Sequence, residues 1–96
     1  MKISFENNLG NFTLSLEGRL DTTTAPELEA FVKDNIKQTD SLTINCEKLE
    51  YVSSAGLRTL LMAQKMLKSN LKLVKVQELV MEVFEITGFA DVLTIE

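Results

Sequence analysis

The sequence predicts an α/β fold in which a mixed β-sheet begins with a hairpin and continues with alternating helices and strands. Near the N-terminus, apolar and polar residues alternate on both sides of a turn-forming stretch at 7–11, which is typical of a β-hairpin. Beyond it, segments with helical spacing of apolar residues alternate with short strand-forming runs. This order predicts parallel strand pairs and helices that cover at least one face of the sheet. The 96 residues are enough for one domain, 1–96.

The first half of the chain contains the hairpin and one helix. Apolar residues alternate over 3–5 in the first strand and over 12–16 in the second. Thr24 and Glu27 have the spacing of a capping box, which predicts a helix that begins after Thr24. Its apolar face continues to Ile36, so we expect this helix to end near Gln38.

The second half repeats the alternation of strand and helix. A β-branched run predicts a central strand, and apolar character returns at 49–52, just before a pair of serines. Gly88 is placed as the C-cap of the last helix. The predicted elements are a strand at 42–46, a helix from Ser53 or Ser54 to about Ser69, a strand at 71–76, a helix at 78–87 and a last strand at 92–95.

Composition and charge exclude several classes of function. The net charge of −4 has the wrong sign for a protein that binds nucleic acid. The chain has no His and one Cys, Cys46, so it lacks the residues for His acid–base catalysis, an intrachain disulfide or the common zinc sites. Its four glycines lie too far apart to form a phosphate-binding loop, so we expect no cofactor. The single thiol and the lack of a long apolar run at the N-terminus predict a cytoplasmic protein that does not insert into a membrane.

The strongest candidate site is the pair Ser53 and Ser54, where a strand ends and a helix begins. A serine at this place commonly caps the helix, because its hydroxyl accepts a hydrogen bond from a free backbone N–H. The alternative is a phosphorylation site, since the positive end of the helix dipole stabilises a phosphate and Arg58 lies one turn beyond Ser54. A catalytic serine is disfavoured, because the chain offers no neighbouring base.

Two further features have both a structural and a functional interpretation. Asp21 and the threonines after it form either an acidic turn that caps the helix or the border of a binding surface. Met62 and Met66 lie beside the core face of the second helix, where thioethers either extend the core or form an adaptable docking surface. The sequence leaves both alternatives open.

Three segments together resemble a STAS domain and, more narrowly, a bacterial anti-sigma factor antagonist. They are residues 49–57 (LEYVSSAGL), the turn at 18–21 (GRLD) and the closing stretch at 84–89 (FEITGF). The resemblance spans essentially all 96 residues with the segments in the same order. It implies a mixed β-sheet with the helices packed on one side, in agreement with the order of elements above.

The resemblance also implies a regulatory role in place of an enzymatic one. Members of this family bind an anti-sigma factor that is an ATP-binding, histidine-kinase-like serine kinase, and thereby free a sigma factor or another target. The kinase phosphorylates the serine two residues before the Gly of the motif, and a PP2C-type phosphatase removes the phosphate. That serine is Ser54 here, and Ser53 is the second choice, at a position where many members carry Asp.

The expected partner-binding surface combines the motif, the earlier turn and part of the second helix. An alternative role within the same family is a STAS adaptor subunit of a transporter or of a larger signalling assembly. The residues expected to bind the partner are Asp21, Thr22, Thr23, Ser53, Ser54, Ala55, Gly56, Leu57, Arg58, Met62 and Lys65.

Overall fold

A computed structural model describes residues 1–96, in which four strands and three helices follow one another in the expected order. The last expected strand is not among them. Short 3₁₀ turns follow the second and third helices, at Lys68–Asn70 and Phe89–Asp91. The elements are β1 (Lys2–Asn8), β2 (Asn11–Leu20), α1 (Ala25–Asn35), β3 (Ser41–Val52), α2 (Ser54–Leu67), β4 (Leu71–Val74) and α3 (Glu78–Thr87).

The four strands form one mixed sheet in the order β1-β2-β3-β4. β1 and β2 pair antiparallel as a hairpin, whereas β2 pairs with β3 and β3 with β4 in parallel. The hairpin closes through Leu9 and Gly10, whose φ angles of 55° and 87° match the two-residue turn that suits twisted strands. The structure thus confirms the predicted hairpin and the mixed sheet.

The hydrophobic core lies on one face of this sheet, between the strands and all three helices. On β2, buried Leu14 and Leu16 alternate with Thr13 and Ser15, which point to the other face. That second face is polar, while apolar positions of the helices cover the first face. The prediction of helices on one side is therefore confirmed. The helix residues in the core include Leu28 and Val32 of α1, Leu60, Ala63 and Leu67 of α2, and Val80 and Phe84 of α3.

β3 is one strand of 12 residues, where the sequence predicted a shorter strand and a separate apolar run. A bulge joins the two parts, because the pairing of Ser15 with Asn45 is followed by that of Glu17 with Lys48. Within the bulge, the Asn45 side chain accepts a hydrogen bond from the Glu47 N–H at 3.0 Å. A second shift follows, since Gly18 pairs with Leu49 and Arg19 with Tyr51. Each extra residue interrupts the alternation in the sequence without ending the strand.

Three elements end earlier than the sequence predicted. α1 ends at Asn35 because Ile36 adopts an extended conformation that buries its side chain. α2 ends at Leu67 because Lys68 has a φ of 53°, and β4 ends at Val74, just before Lys75 with a φ of 56°. By contrast, α3 has the predicted bounds and the predicted left-handed Gly88 C-cap.

Two local predictions are wrong. The Thr24 hydroxyl accepts the Asp21 N–H and donates to the Arg19 carbonyl, so it is turned away from the helix and forms no capping box. The predicted last strand is reduced to one parallel bridge between Leu73 and Ile95. Val92 keeps a helical backbone, and the N–H groups of Val92 and Leu93 donate back to the Phe89 carbonyl, so only the last three residues pair with β4.

Candidate functional site

The junction between β3 and α2 is fixed by backbone hydrogen bonds to β2. The Ser53 N–H donates to the Leu20 carbonyl at 2.9 Å, which holds the start of α2 against the end of β2. Ser53 has an extended backbone, and its hydroxyl accepts the Gly56 N–H at 3.3 Å. Ser53 is therefore the N-cap of α2, and the capping interpretation applies to this serine.

Ser54 is the first residue of α2, and its side chain is exposed to solvent. The first backbone N–H groups of a helix have no partner within the helix. Those of Ser53 and Gly56 have other acceptors, whereas those of Ser54 and Ala55 remain free. The Ser54 hydroxyl thus lies at the positive end of α2, and exposed Arg58 follows one turn later.

Gly56 and Leu57 belong to the supporting core of the junction. A Cβ atom on Gly56 would lie 2.7 Å from the Leu20 carbonyl oxygen and 2.8 Å from Leu20 Cγ. Leu57 is only 5% exposed. Both are among the predicted partner-binding residues, and that role stays a prediction: Gly56 has no side chain, and the Leu57 side chain is packed in the core. Their contribution is to hold α2 close to β2.

The loop between β2 and α1 folds around the Asp21 carboxylate. Asp21 Oδ1 accepts the N–H groups of Thr23 at 3.0 Å and Thr24 at 3.1 Å. These hydrogen bonds, that of Thr24 above all, and the Arg19 guanidinium at 3.8 Å lower the pKa of the Asp21 carboxyl. Thr22 and Thr23 are exposed at the tip of the loop. Asp21 is thus the structural centre of the loop as well as part of its surface.

A shallow cleft joins this loop and the start of α2. It has a volume of about 260 Å³ and lies between the N-terminal turns of the two helices. The cleft is lined by Thr22, Ala25, Pro26 and Glu29 on one side and Ala55, Arg58 and Thr59 on the other. We call the exposed and half-exposed site residues around it the junction surface: Asp21, Thr22, Thr23, Ser53, Ser54, Ala55 and Arg58.

Met62 and Lys65 lie farther along α2 and are not brought to the loop. At the helical rise, Lys65 is about 16 Å along the axis from Ser54. Met62 is half-buried and packs against the core, as the structural interpretation of the methionines proposed. Lys65 is exposed. Both continue the face that contains Arg58, so they extend the junction surface along the helix.

Arg19 and Tyr51 are two neighbours of the site that were not among the predicted site residues. The Arg19 guanidinium lies 4.1 Å from the centre of the Tyr51 ring, which is 38% exposed. The two residues are register partners on β2 and β3 only because of the shifts in pairing between these strands. A charged residue and an aromatic one near the motif were visible in the sequence, but their contact depends on that register.

The thiol of Cys46 takes no part in this site. Its side chain is fully buried in β3, and burial raises its pKa to about 12. The thiol therefore stays protonated at neutral pH, the unreactive form of a cysteine.

Comparison with known proteins identifies the family. The model of the STAS domain matches residues 2–96. A protein of Bordetella bronchiseptica named as an anti-sigma factor antagonist, BtrV, is 31% identical over 96 residues, which covers 96% of this chain and 83% of BtrV. The chain belongs to the STAS domain family of bacterial anti-sigma factor antagonists, which confirms the resemblance described above.

Solved structures share the same fold at low sequence identity. An anti-sigma factor antagonist from Mycobacterium paratuberculosis superimposes with a TM-score of 0.84 at 22% identity, covering 98% of this chain and 83% of that one. The phosphorylated form of the Bacillus cell fate determinant SpoIIAA gives a TM-score of 0.71 at 16% identity, covering 99% of this chain and 91% of that one.

None of the helices in the structure is both long and apolar enough to span a membrane.

Proposed function

We propose that the unphosphorylated chain binds an anti-sigma factor kinase through the junction surface and that phosphorylation of Ser54 ends this binding. The observation that carries the proposal is the position of Ser54, an exposed hydroxyl on the first residue of α2 beside two free backbone N–H groups. Binding would release the sigma factor, or another target, that the kinase otherwise holds.

Ser54 is a better phosphoacceptor than Ser53 for a geometric reason. The Ser53 hydroxyl is half-buried and already accepts the Gly56 N–H. Phosphorylation of Ser53 would break this capping hydrogen bond and weaken the start of α2. The Ser54 side chain is free to enter the active site of a kinase without loss of the cap. The phosphorylated structure of SpoIIAA supports a phosphorylation switch in a protein of this fold.

The chemistry belongs to the partners. Ser54 Oγ attacks the γ-phosphorus of ATP, the bond to ADP breaks, and a base of the kinase takes the hydroxyl proton. A PP2C-type phosphatase then hydrolyses the phosphoester to return the hydroxyl and inorganic phosphate. This chain supplies the acceptor and its surroundings, and no catalytic residue.

The added phosphate ends binding through charge and volume. It carries about −1.5 to −2 charges and adds them to a chain with a net charge of −4. The free N–H groups of Ser54 and Ala55 and the Arg58 side chain stabilise the phosphate on this chain. A partner packed closely against the same surface would meet unfavourable desolvation and repulsion.

The test is a titration of an anti-sigma factor kinase with wild type, Ser54→Ala and Ser54→Asp chains. We expect wild type and Ser54→Ala to bind with similar affinity and Ser54→Asp at least about tenfold more weakly, a loss of about 1.4 kcal/mol. After ATP is added, only wild type should dissociate, and mass spectrometry should locate one phosphate on Ser54.

Ser53→Asp is the matched control, because an aspartate at position 53 still caps the helix and places its added charge one residue earlier. It should bind more tightly than Ser54→Asp. A phosphate on Ser53, or equal affinity of wild type and Ser54→Asp, would contradict the switch. If wild type and Ser54→Asp bind with equal affinity and the kinase adds no phosphate to either serine, the STAS adaptor role is favoured instead.

A further inference from the structure

β1 forms one edge of the sheet and has features of a surface that is covered in an assembly. Its outer side has no strand partner. Phe5 lies on the helix side of this strand, where its ring contacts that of Phe31 at a centroid distance of 4.8 Å. Phe5 nevertheless remains 53% exposed. An aromatic side chain beside unpaired backbone groups is a template for another strand.

The hairpin determines which backbone groups of β1 point outward. In a hairpin closed by a two-residue turn, the flanking residues, here Asn8 and Asn11, exchange both hydrogen bonds. Hydrogen-bonded and non-hydrogen-bonded pairs then alternate along the two strands, which pair without a bulge. The N–H and C=O groups of Lys2, Ser4 and Glu6 therefore face β2. Those of Ile3 and Phe5 face outward and are free to pair with another strand.

In one register, a second copy of β1 can form hydrogen bonds to these outward backbone groups and place opposite charges next to Lys2 and Glu6. In an antiparallel pair centred on Ser4, Ile3 of one copy lies opposite Phe5 of the other, so the outward backbone groups bond to each other. The same register places Lys2 opposite Glu6 twice, once on each side of the centre. Neither residue belongs to an ion pair within the chain.

The neighbouring antiparallel registers that keep the outward groups paired are less favourable. A shift in one direction places Glu6 opposite Ser4 and Phe5 opposite Phe5, and a shift in the other places Lys2 opposite Ser4. Both shifts lose the two pairs of opposite charge. The charges that commonly protect an edge strand are here arranged to be self-complementary.

We propose that two copies of this chain associate through antiparallel pairing of β1 about Ser4. The two four-stranded sheets then join into one sheet of eight strands, with the helices of both copies on the same side. Phe5 of each copy packs against Ile3 of the other. One strand contributes a small contact area, so the dimer is weak and depends on protein concentration.

Sedimentation equilibrium measures this association directly. The wild-type chain of 10.8 kDa should show an average mass that rises towards twice that value as its concentration approaches about 1 mM. Lys2→Glu alone and Glu6→Lys alone each place like charges opposite one another, and each should associate roughly tenfold more weakly.

Mixtures of variants test the register. An equimolar mixture of Lys2→Glu and Glu6→Lys chains again pairs opposite charges at both places, so it should regain the wild-type association. Glu85→Lys, an exposed site on α3 with the same change of charge as Glu6→Lys, should associate as wild type does. Circular dichroism spectra of all variants should match, because both β1 positions are exposed.

Three results would overturn the proposal. They are a wild-type chain that stays monomeric at about 1 mM, single charge variants that associate like wild type, and a mixture that associates no better than its components. The kinase titration with Ser54 variants is independent of all three, so failure of one proposal leaves the other standing.

Discussion

Ser53 and Ser54 show how neighbouring residues of the same type take different roles. Ser53 still has the extended backbone of the strand end, so its side chain turns back to the Gly56 N–H. Ser54 already has the helical conformation, which directs its hydroxyl to solvent. One residue of displacement along the chain therefore separates a structural hydroxyl from a reactive surface hydroxyl.

Gly56 gives a sharp prediction at the residue scale. From helix propensity alone, Gly56→Ala would stabilise the protein by about 0.5–1 kcal/mol. A Cβ atom there would lie 2.7 Å from the Leu20 carbonyl oxygen, which is backbone and has little room to move. We therefore expect Gly56→Ala to lower the free energy of unfolding by roughly 1–3 kcal/mol, as measured by urea denaturation.

Arg58→Ala is the control for this substitution, because it introduces the same residue at an exposed position of α2. Its effect should stay within about 0.5 kcal/mol of zero. If the Gly56→Ala chain is more stable than wild type, β2 and α2 can move apart at Leu20 at little cost, and the prediction is wrong.

At the scale of elements, the loop between β2 and α1 depends on one ionised carboxylate. The backbone hydrogen bond from Thr24 and, to a smaller extent, that from Thr23 lower the pKa of Asp21 in the folded state. A lowered pKa means that the carboxylate stabilises the fold above its unfolded pKa of about 3.9, and that this stabilisation is lost as the pH falls through the lower, folded value.

Asp21→Asn should therefore lower the urea midpoint at pH 7, and its difference from wild type should shrink as the pH falls below about 3.9 and through the lower, folded pKa. The substitution keeps an oxygen acceptor for the two N–H groups and removes the charge. Glu50→Gln, at an exposed position of β3, is a control for the loss of one negative charge. A difference between Asp21→Asn and wild type that does not change with pH would contradict the role of ionisation.

Elements with local signals could be predicted from the sequence. The hairpin and α3 depend on alternation, helical spacing and a glycine that adopts a φ of 81° at position 88, and all of these are visible along the chain. The Ser53–Ser54 junction was predictable for the same reason. The resemblance already selected Ser54 as the phosphoacceptor, whereas the role of Ser53 as the N-cap followed only from the structure.

Features that depend on pairing could not be predicted in this way. The bulge in β3 and the contact between Arg19 and Tyr51 arise from the register between β2 and β3. Thr24 matches a capping box in sequence, but its hydroxyl accepts the Asp21 N–H and donates to the Arg19 carbonyl within the loop. Ile95 forms a single bridge because Val92 keeps a helical backbone and the Leu93 N–H bonds back to the Phe89 carbonyl, so the extended part of the chain is short.

At the scale of the whole molecule, the proposed switch acts on a rigid framework. Leu20 is fully buried and connects three parts of it: it pairs with Val52, accepts the Ser53 N–H and contacts Gly56. The start of α2 is therefore attached to the centre of the sheet, while Ser54 projects from the surface. A charge added at Ser54 stays in solvent and meets no buried group that must move.

Phosphorylation of Ser54 should consequently leave the sheet unchanged. Amide hydrogen exchange at Leu14, Ile44 and Leu73, which are fully buried on β2, β3 and β4, should stay within about twofold of the unphosphorylated chain. Protection should change only in the junction surface, where the phosphate accepts hydrogen bonds from free N–H groups. Ser54→Ala incubated with kinase and ATP controls for the treatment itself. Loss of protection at Leu73, on the far side of the sheet from β1, would mean that the switch works by unfolding, against the proposal that charge and volume at the surface suffice.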